Sequence, residues 1–143
     1  MGHAMTEPEI RAFMLEGSKT GKLATVRSDG RPHIAAVWFT FDEQGRAVFL
    51  TGSTTLKARN MQRDPRISLL TDVEEMPFAW ARLDGDASFS SDPDELLWWA
   101  TETSRRYVGD TRADEFGRRN AVPGELVVFV TPTRLVGQAG VSD

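Results

Sequence analysis

Residues 49–70 read FLTGSTTLKARNMQRDPRISLL, and the order of signals in this stretch decides the fold. Phe49, Leu50 and Thr51 close an extended apolar segment. Gly52-Ser53-Thr54-Thr55 is a small, hydroxyl-rich turn. Residues 56–63 have helical period, Asp64-Pro65 stops the helix, and residues 66–70 alternate as a strand. A basic helix therefore sits between two strands. Its N-terminus carries unsatisfied backbone N–H groups and the positive end of the helix dipole. Ser53, Thr54 and Thr55 precede it, and Lys57 and Arg59 lie in its first turn. That combination suits a phosphate. On the residues alone a capped, solvated surface helix fits as well, and both readings stay open.

Outward from this stretch the chain alternates short strands and turns. Residues 7–16 predict an amphipathic helix capped by Thr6, with Pro8 in its first turn and Ile10, Phe13 and Met14 on one face. Residues 21–27 predict a strand, and Ser28-Asp29-Gly30-Arg31 a hairpin turn. Residues 32–41 predict one continuous strand with Ala36, Trp38 and Thr40 on one face and Val37, Phe39 and Phe41 on the other. Residues 47–51 form a third strand and 66–72 a fourth. Residues 78–84 and 87–90 read as a strand with a bend at Gly85. A helix starts at Pro93 and runs to about Tyr107, and a shorter one is expected over residues 112–119. Residues 124–131 and 134–138 read as two final strands. Tight hairpins imply antiparallel neighbours. Closure of such a sheet into a barrel removes exposed edges, so the expected fold is a mainly β (α+β) antiparallel barrel with peripheral helices.

The totals limit what this fold can do. The 143 residues suffice for one domain with one core. An apolar fraction of 40% and a charged fraction of 27% mark a globular chain. The net charge is −4 and the pI about 5.2, which argues against nucleic acid as a partner. There is no cysteine, so disulfides, thiolate nucleophiles and Cys-based metal centres are excluded. No apolar run reaches the roughly 20 residues of a membrane span, and no secretory signal is read. A cytoplasmic location is the expectation. Residues 1–4 read as a cloning remnant before a native start at Met5, leaving residues 5–143 as a single domain.

Other candidate groups are mostly structural by type. His33 reads as a structural histidine, since no metal-ligand spacing surrounds it. Asp84, Asp86, Asp92, Asp94 and Glu95 read as turn and cap residues. Trp98 and Trp99 read as buried packing, and Tyr107 as a weak candidate proton donor. Trp38 is either core or a flat wall for a planar ring, and the Phe78-Ala79-Trp80 cluster is core, an interface or a pocket wall. An anion site, aromatic walls and no evident nucleophile fit a protein whose cofactor carries the chemistry.

At these residues the chain resembles the split β-barrel flavin- and deazaflavin-dependent family related to pyridoxamine 5′-phosphate oxidase. The matching parts, in order, are Gly21-Lys22-Leu23-Ala24-Thr25-Val26, Asp29-Gly30-Arg31-Pro32-His33, Val37-Trp38-Phe39, Thr51-Gly52-Ser53, Lys57-Ala58-Arg59-Asn60, Arg63-Asp64-Pro65-Arg66, Trp80 with Leu83-Asp84-Gly85, and Pro123-Gly124-Glu125-Leu126-Val127. More narrowly it resembles the actinobacterial branch that uses coenzyme F420, an 8-hydroxy-5-deazaflavin. In the flavin-using oxidases the residue before the phosphate-binding lysine is usually basic, whereas here it is Leu56.

The resemblance implies a homodimer with cofactor sites at the subunit interface. Ser53, Thr55 and Lys57, joined by Arg59 and Asn60, would hold the cofactor phosphate, with Gly52 in the same turn. Ala36, Val37 and Trp38 would line the ring, with Thr51 nearby. Phe78 and Trp80 would come from the second subunit, and Lys57, Arg59 and Arg63 would meet the acidic tail of F420. The activity implied is hydride transfer from reduced F420 to an electron-poor double bond of a small substrate. The alternatives are an FMN-dependent oxidase or reductase of the same fold, and a non-catalytic carrier of deazaflavin, flavin or haem.

Overall fold

A computed structural model describes residues 2–141. In chain order the elements are β1 (His3–Ala4), α1 (Glu7–Leu15), β2 (Gly21–Val26), β3 (Pro32–Val37), β4 (Thr40–Phe41), β5 (Ala47–Gly52), α2 (Leu56–Arg63), β6 (Arg66–Asp72), β7 (Phe78–Ser90), α3 (Pro93–Val108), α4 (Asp110–Asn120) and β8 (Glu125–Val141). The strands form one antiparallel sheet in the order β3-β2-β6-β7-β8-β5-β4, with β1 added to β8. The sheet curls into a half-barrel, which is the split-barrel form of the expected fold. Among the described residues no helix is long and apolar enough to cross a membrane.

Alternation along β5 and β8 explains the layering. Phe49, Val128 and Val130 face the barrel interior with Leu23, Phe39, Met61, Leu69 and Leu83. Their neighbours Val48, Val127 and Phe129 face the other way and pack with Leu96 of α3. These two strands are thus covered on both sides, and α3 is the outer cover. The stop-and-start pattern around α2 is as expected. Thr55 caps the helix by accepting from the Ala58 N–H, and it runs to Arg63 before Asp64.

The structure departs from the sequence reading at several points. Residues 78–90 form a single strand, with a register shift at Asp84 and Gly85. A Cβ at Gly85 would lie 2.4 Å from the Thr131 carbonyl oxygen, so only glycine lets the two backbones approach this closely. Residues 125–141 are likewise one strand where two were expected, and α4 runs from Asp110 to Asn120 rather than over 112–119. His3 and Ala4 add a short strand to the sheet by pairing with Ala139 and Gln138, which leaves their origin open. Trp98 is 59% exposed, so it is not buried packing. Asp84 lies in a strand and pairs with Arg82 at 3.0 Å.

The expected strand over 32–41 breaks at Trp38 and Phe39, and α3 is the cause. The Tyr107 hydroxyl accepts the Phe39 N–H at 3.1 Å and donates to the Lys19 carbonyl at 2.8 Å. Arg106 donates to the carbonyls of Phe39 at 2.7 Å, Met14 at 2.7 Å and Gly17 at 3.1 Å. The backbone polar groups of Phe39 are thus taken by side chains rather than by a strand ladder. Replacing Arg106 by Ala would leave three carbonyls without this donor. We expect a loss of about 3 kcal/mol in urea unfolding. Arg105→Ala, on the solvent side of the same helix, should leave the unfolding midpoint near wild type.

Candidate functional site

The end of β3, the start of α2 and the inner faces of α3 and α4 meet over the C-terminal half of β5. Between them lies a cavity of about 230 Å³ lined by Ala36, Val37, Trp38, Leu50, Lys57, Ala100, Thr103, Ser104, Asn120 and Glu125. Lys57 is thereby brought to the same space as Ala36, Val37 and Trp38, 19 to 21 residues earlier in the chain. A second cleft of about 490 Å³ adjoins it and includes Ser53, Leu96, Val122, Gly124 and Glu125. Glu125 lines both spaces. A Cβ at Gly52 would lie 3.1 Å from a Glu125 carboxylate oxygen, so the bare glycine allows the carboxyl to sit against the turn.

Lys57 and Glu125 are the ionisable groups lining the cavity. Burial pushes the Glu125 carboxyl above its ordinary value, and the opposing attraction of Lys57 does not cancel that. Trp38 supplies the aromatic wall. Its indole stacks on Tyr107 with ring centres 4.9 Å apart and planes 7° from parallel, and Phe116 lies at 6.3 Å. Trp38 is 37% exposed despite these neighbours.

The other expected site residues divide sharply. Thr51 is buried and its hydroxyl meets that of Thr55 at 2.9 Å. Thr55 also donates to the Gly52 carbonyl at 2.9 Å, so its hydroxyl is committed to the turn and the helix cap. Asn60 is buried and its amide donates to the Thr25 hydroxyl at 3.1 Å, which makes it a tie between α2 and β2. Arg59 is exposed and lines neither space, and Arg63 donates to the Val26 carbonyl. Phe78 and Trp80 pair with Val141 and Gln138, while Ser90 at the opposite end of β7 pairs with Val127. They do not join the cavity within one chain. The Tyr107 hydroxyl is spent on backbone groups, so the proton-donor role considered for it has no free hydroxyl. His33 Nδ1 is buried without a partner, so it is not the satisfied structural histidine expected.

Thr103, Ser104, Asn120 and Glu125 were not singled out from the sequence. A signal existed for two of them. Leu96, Ala100, Thr103 and Ser104 recur at helical spacing, so hydroxyls interrupt an otherwise apolar stripe.

The chain matches the family described as pyridoxamine 5′-phosphate oxidase over residues 6–137. The chain belongs to the pyridoxamine 5′-phosphate oxidase family. One relative in this family is the F420H(2)-dependent biliverdin reductase of Mycobacterium tuberculosis, 30% identical over 122 residues, covering 85% of this chain and 80% of that protein. Another is the heme oxygenase HutZ of Vibrio cholerae, 35% identical over 98 residues. That match spans 64% of this chain and only 54% of the HutZ sequence. Among solved structures, the conserved hypothetical protein Rv2991 of Mycobacterium tuberculosis superposes with a TM-score of 0.78 at 28% identity, over 92% of this chain and 82% of that one. The half-barrel, the α2 insertion and the long β7–β8 pair are thus the architecture of a pyridoxamine 5′-phosphate oxidase relative.

The position of Glu125 has a measurable consequence. Because its folded-state value is raised by burial, the folded protein holds this proton more tightly than the unfolded chain does. That contribution is fully present below the unfolded value and is lost as pH rises through the folded one. We expect Glu125→Gln to be more stable than wild type in urea at pH 7. The gap should close as pH falls below about 4, where both side chains are neutral.

Proposed function

We propose that this protein is an F420-dependent reductase acting as a cytoplasmic homodimer. The carrying observation is that Lys57 and the Ala36–Val37–Trp38 wall line one cavity. The similarity to an F420H(2)-dependent biliverdin reductase over 85% of the chain supports the choice of deazaflavin. So does Leu56, where flavin-using oxidases usually carry a basic residue.

The cavity tests the fit by size and by donor set. Its volume of about 230 Å³ is below the roughly 300–1,000 Å³ of pockets that enclose a whole drug-sized ligand. It is too small to enclose a whole cofactor. Lys57 and Ser53, on the two spaces that share Glu125, are the groups that would hold the phosphate. Ala36, Val37 and Trp38 would line the ring. When bound, reduced F420 supplies a hydride to an electron-poor double bond of a small organic substrate. The chain's own part is positioning and the exclusion of water by α3 and α4. Phe78 and Trp80 join the site only from a second subunit. Ile34, 67% exposed on the terminal strand β3, supports a covering partner there.

The likeness to HutZ raises a haem reading. None of the residues lining the cavity is a His, Cys, Met or Tyr, so the space offers no axial ligand for haem iron. FMN on the same residues is the competing cofactor.

Titration of the pure protein with F420 and FMN decides the cofactor. F420 should bind at micromolar levels or tighter and FMN more weakly; the reverse order, or no F420 binding, removes the proposal. Lys57→Ala should weaken F420 by about 1.5–3 kcal/mol, the range of a charge-assisted hydrogen bond. Light scattering should return the mass of a dimer. A monomer would leave Phe78 and Trp80 without a site to complete.

A further inference from the structure

Serine and threonine inside helices normally spend their hydroxyls on the carbonyl one turn back. Thr101 of α3 does so, donating to the Leu97 carbonyl at 2.8 Å. Thr103 and Ser104, two and three residues on, do not. Their hydroxyl oxygens are buried and have no hydrogen-bond partner. Thr103 is 5% exposed and Ser104 1%. Both residues line the cavity beside Lys57 and Trp38. A buried hydroxyl without a partner costs stability. Both belong to residues that line one cavity, so a ligand entering it could supply the missing partner.

The chemistry of that ligand follows from the lining. Ala36, Val37, Leu50 and Ala100 make apolar walls, and Trp38 adds a planar one. The polar groups are two hydroxyls and the Asn120 amide, each able both to donate and to accept. Lys57 and Glu125 carry opposite formal charges, so the lining as a whole is close to neutral and accepts an uncharged polar group beside them. A neutral group that offers a carbonyl acceptor and an N–H donor side by side matches this set.

We propose that Thr103 and Ser104, with Asn120, form a hydrogen-bonding subsite for the cyclic imide or lactam edge of a planar heterocycle. The choice of a planar ring rests on the deazaflavin reading above. Two sources carry this edge: the pyrimidine end of a deazaflavin or flavin, and a substrate bearing lactam rings.

The test compares wild type with Thr103→Val, Ser104→Ala, the double variant and Thr103→Ser. Urea unfolding is measured without ligand. Dissociation constants are measured by fluorescence quenching for F420, FMN, biliverdin and lumichrome, a neutral tricyclic imide without a phosphate. The free Thr103→Val and double variants should be at least as stable as wild type, because they bury no unpartnered hydroxyl. The double variant should bind the imide or lactam ligand roughly tenfold more weakly, and Thr103→Ser should retain affinity. Loss confined to F420, FMN and lumichrome assigns the edge to the cofactor. Loss confined to biliverdin assigns it to the substrate. Variants that unfold more easily than wild type, or that bind all four ligands unchanged, overturn the subsite. Absence of wild-type binding to both F420 and FMN sinks the deazaflavin reading instead. Lumichrome then decides the subsite alone: weaker binding by the double variant supports it, and no binding to wild type overturns it.

Discussion

The Arg106 guanidinium fixes the relation between α3 and the barrel. It joins the Met14 carbonyl in the last turn of α1 and the Gly17 carbonyl beyond it to the one at the break after β3, and the neighbouring Tyr107 hydroxyl completes the tie through Phe39 and Lys19. Its charge is half-buried, over the faces of Phe39 and Tyr107. Such a group is tolerated only when its donors are used. Here they are used on carbonyls from separate parts of the chain, so one side chain sets the spacing of three segments. The stacked ring of Tyr107 then holds the Trp38 indole, and the cavity wall inherits its position from this contact.

The cavity is therefore a joint between a sheet and a helical cover rather than a groove in either. The sheet supplies apolar walls and the Glu125 carboxyl, α2 supplies Lys57, and α3 supplies hydroxyls from its buried face. Water is largely excluded from those hydroxyls, which raises the value of any hydrogen bond they make to a ligand. Burial also raises the Glu125 carboxyl, which sits against the Gly52 turn. The dryness of the hydroxyls comes with the close seat of α3 on β5 and β8.

Local signals in the chain were enough for the architecture. Thr6, Thr55 and Asp92 marked helix starts, and hairpin turns and alternating faces marked the antiparallel strands. The joining of short strands into β7 and β8 was not legible, because Gly85 read as a bend, whereas the ladder runs through Gly85 and its partner Pro132 with only a shift. The break at Trp38 was equally hidden, since it depends on Arg106 and Tyr107, nearly 70 residues later. Part of the site was legible. Lys57, read as part of an anion site, and Trp38, read as either core or a pocket wall, line one cavity. Asn60 and Thr55 have partners within the chain that local sequence did not announce, the Thr25 hydroxyl for one and the helix N-terminus for the other. Thr103 and Ser104 carried a faint signal that only burial without a partner made plain.

The last strand bears on how the chain reaches its form. β8 pairs with β1, β5 and β7 at once, and its partner residues reach from His3 to Ser90. During synthesis β5 and β7 emerge long before the strand that lies between them. Until β8 arrives, both keep open hydrogen-bonding edges, and Phe49 on the inner face and Val48 on the outer one lack the strand that flanks them. The sheet therefore has no continuous order until its last strand is made, when β8 joins β3-β2-β6-β7 to β5-β4.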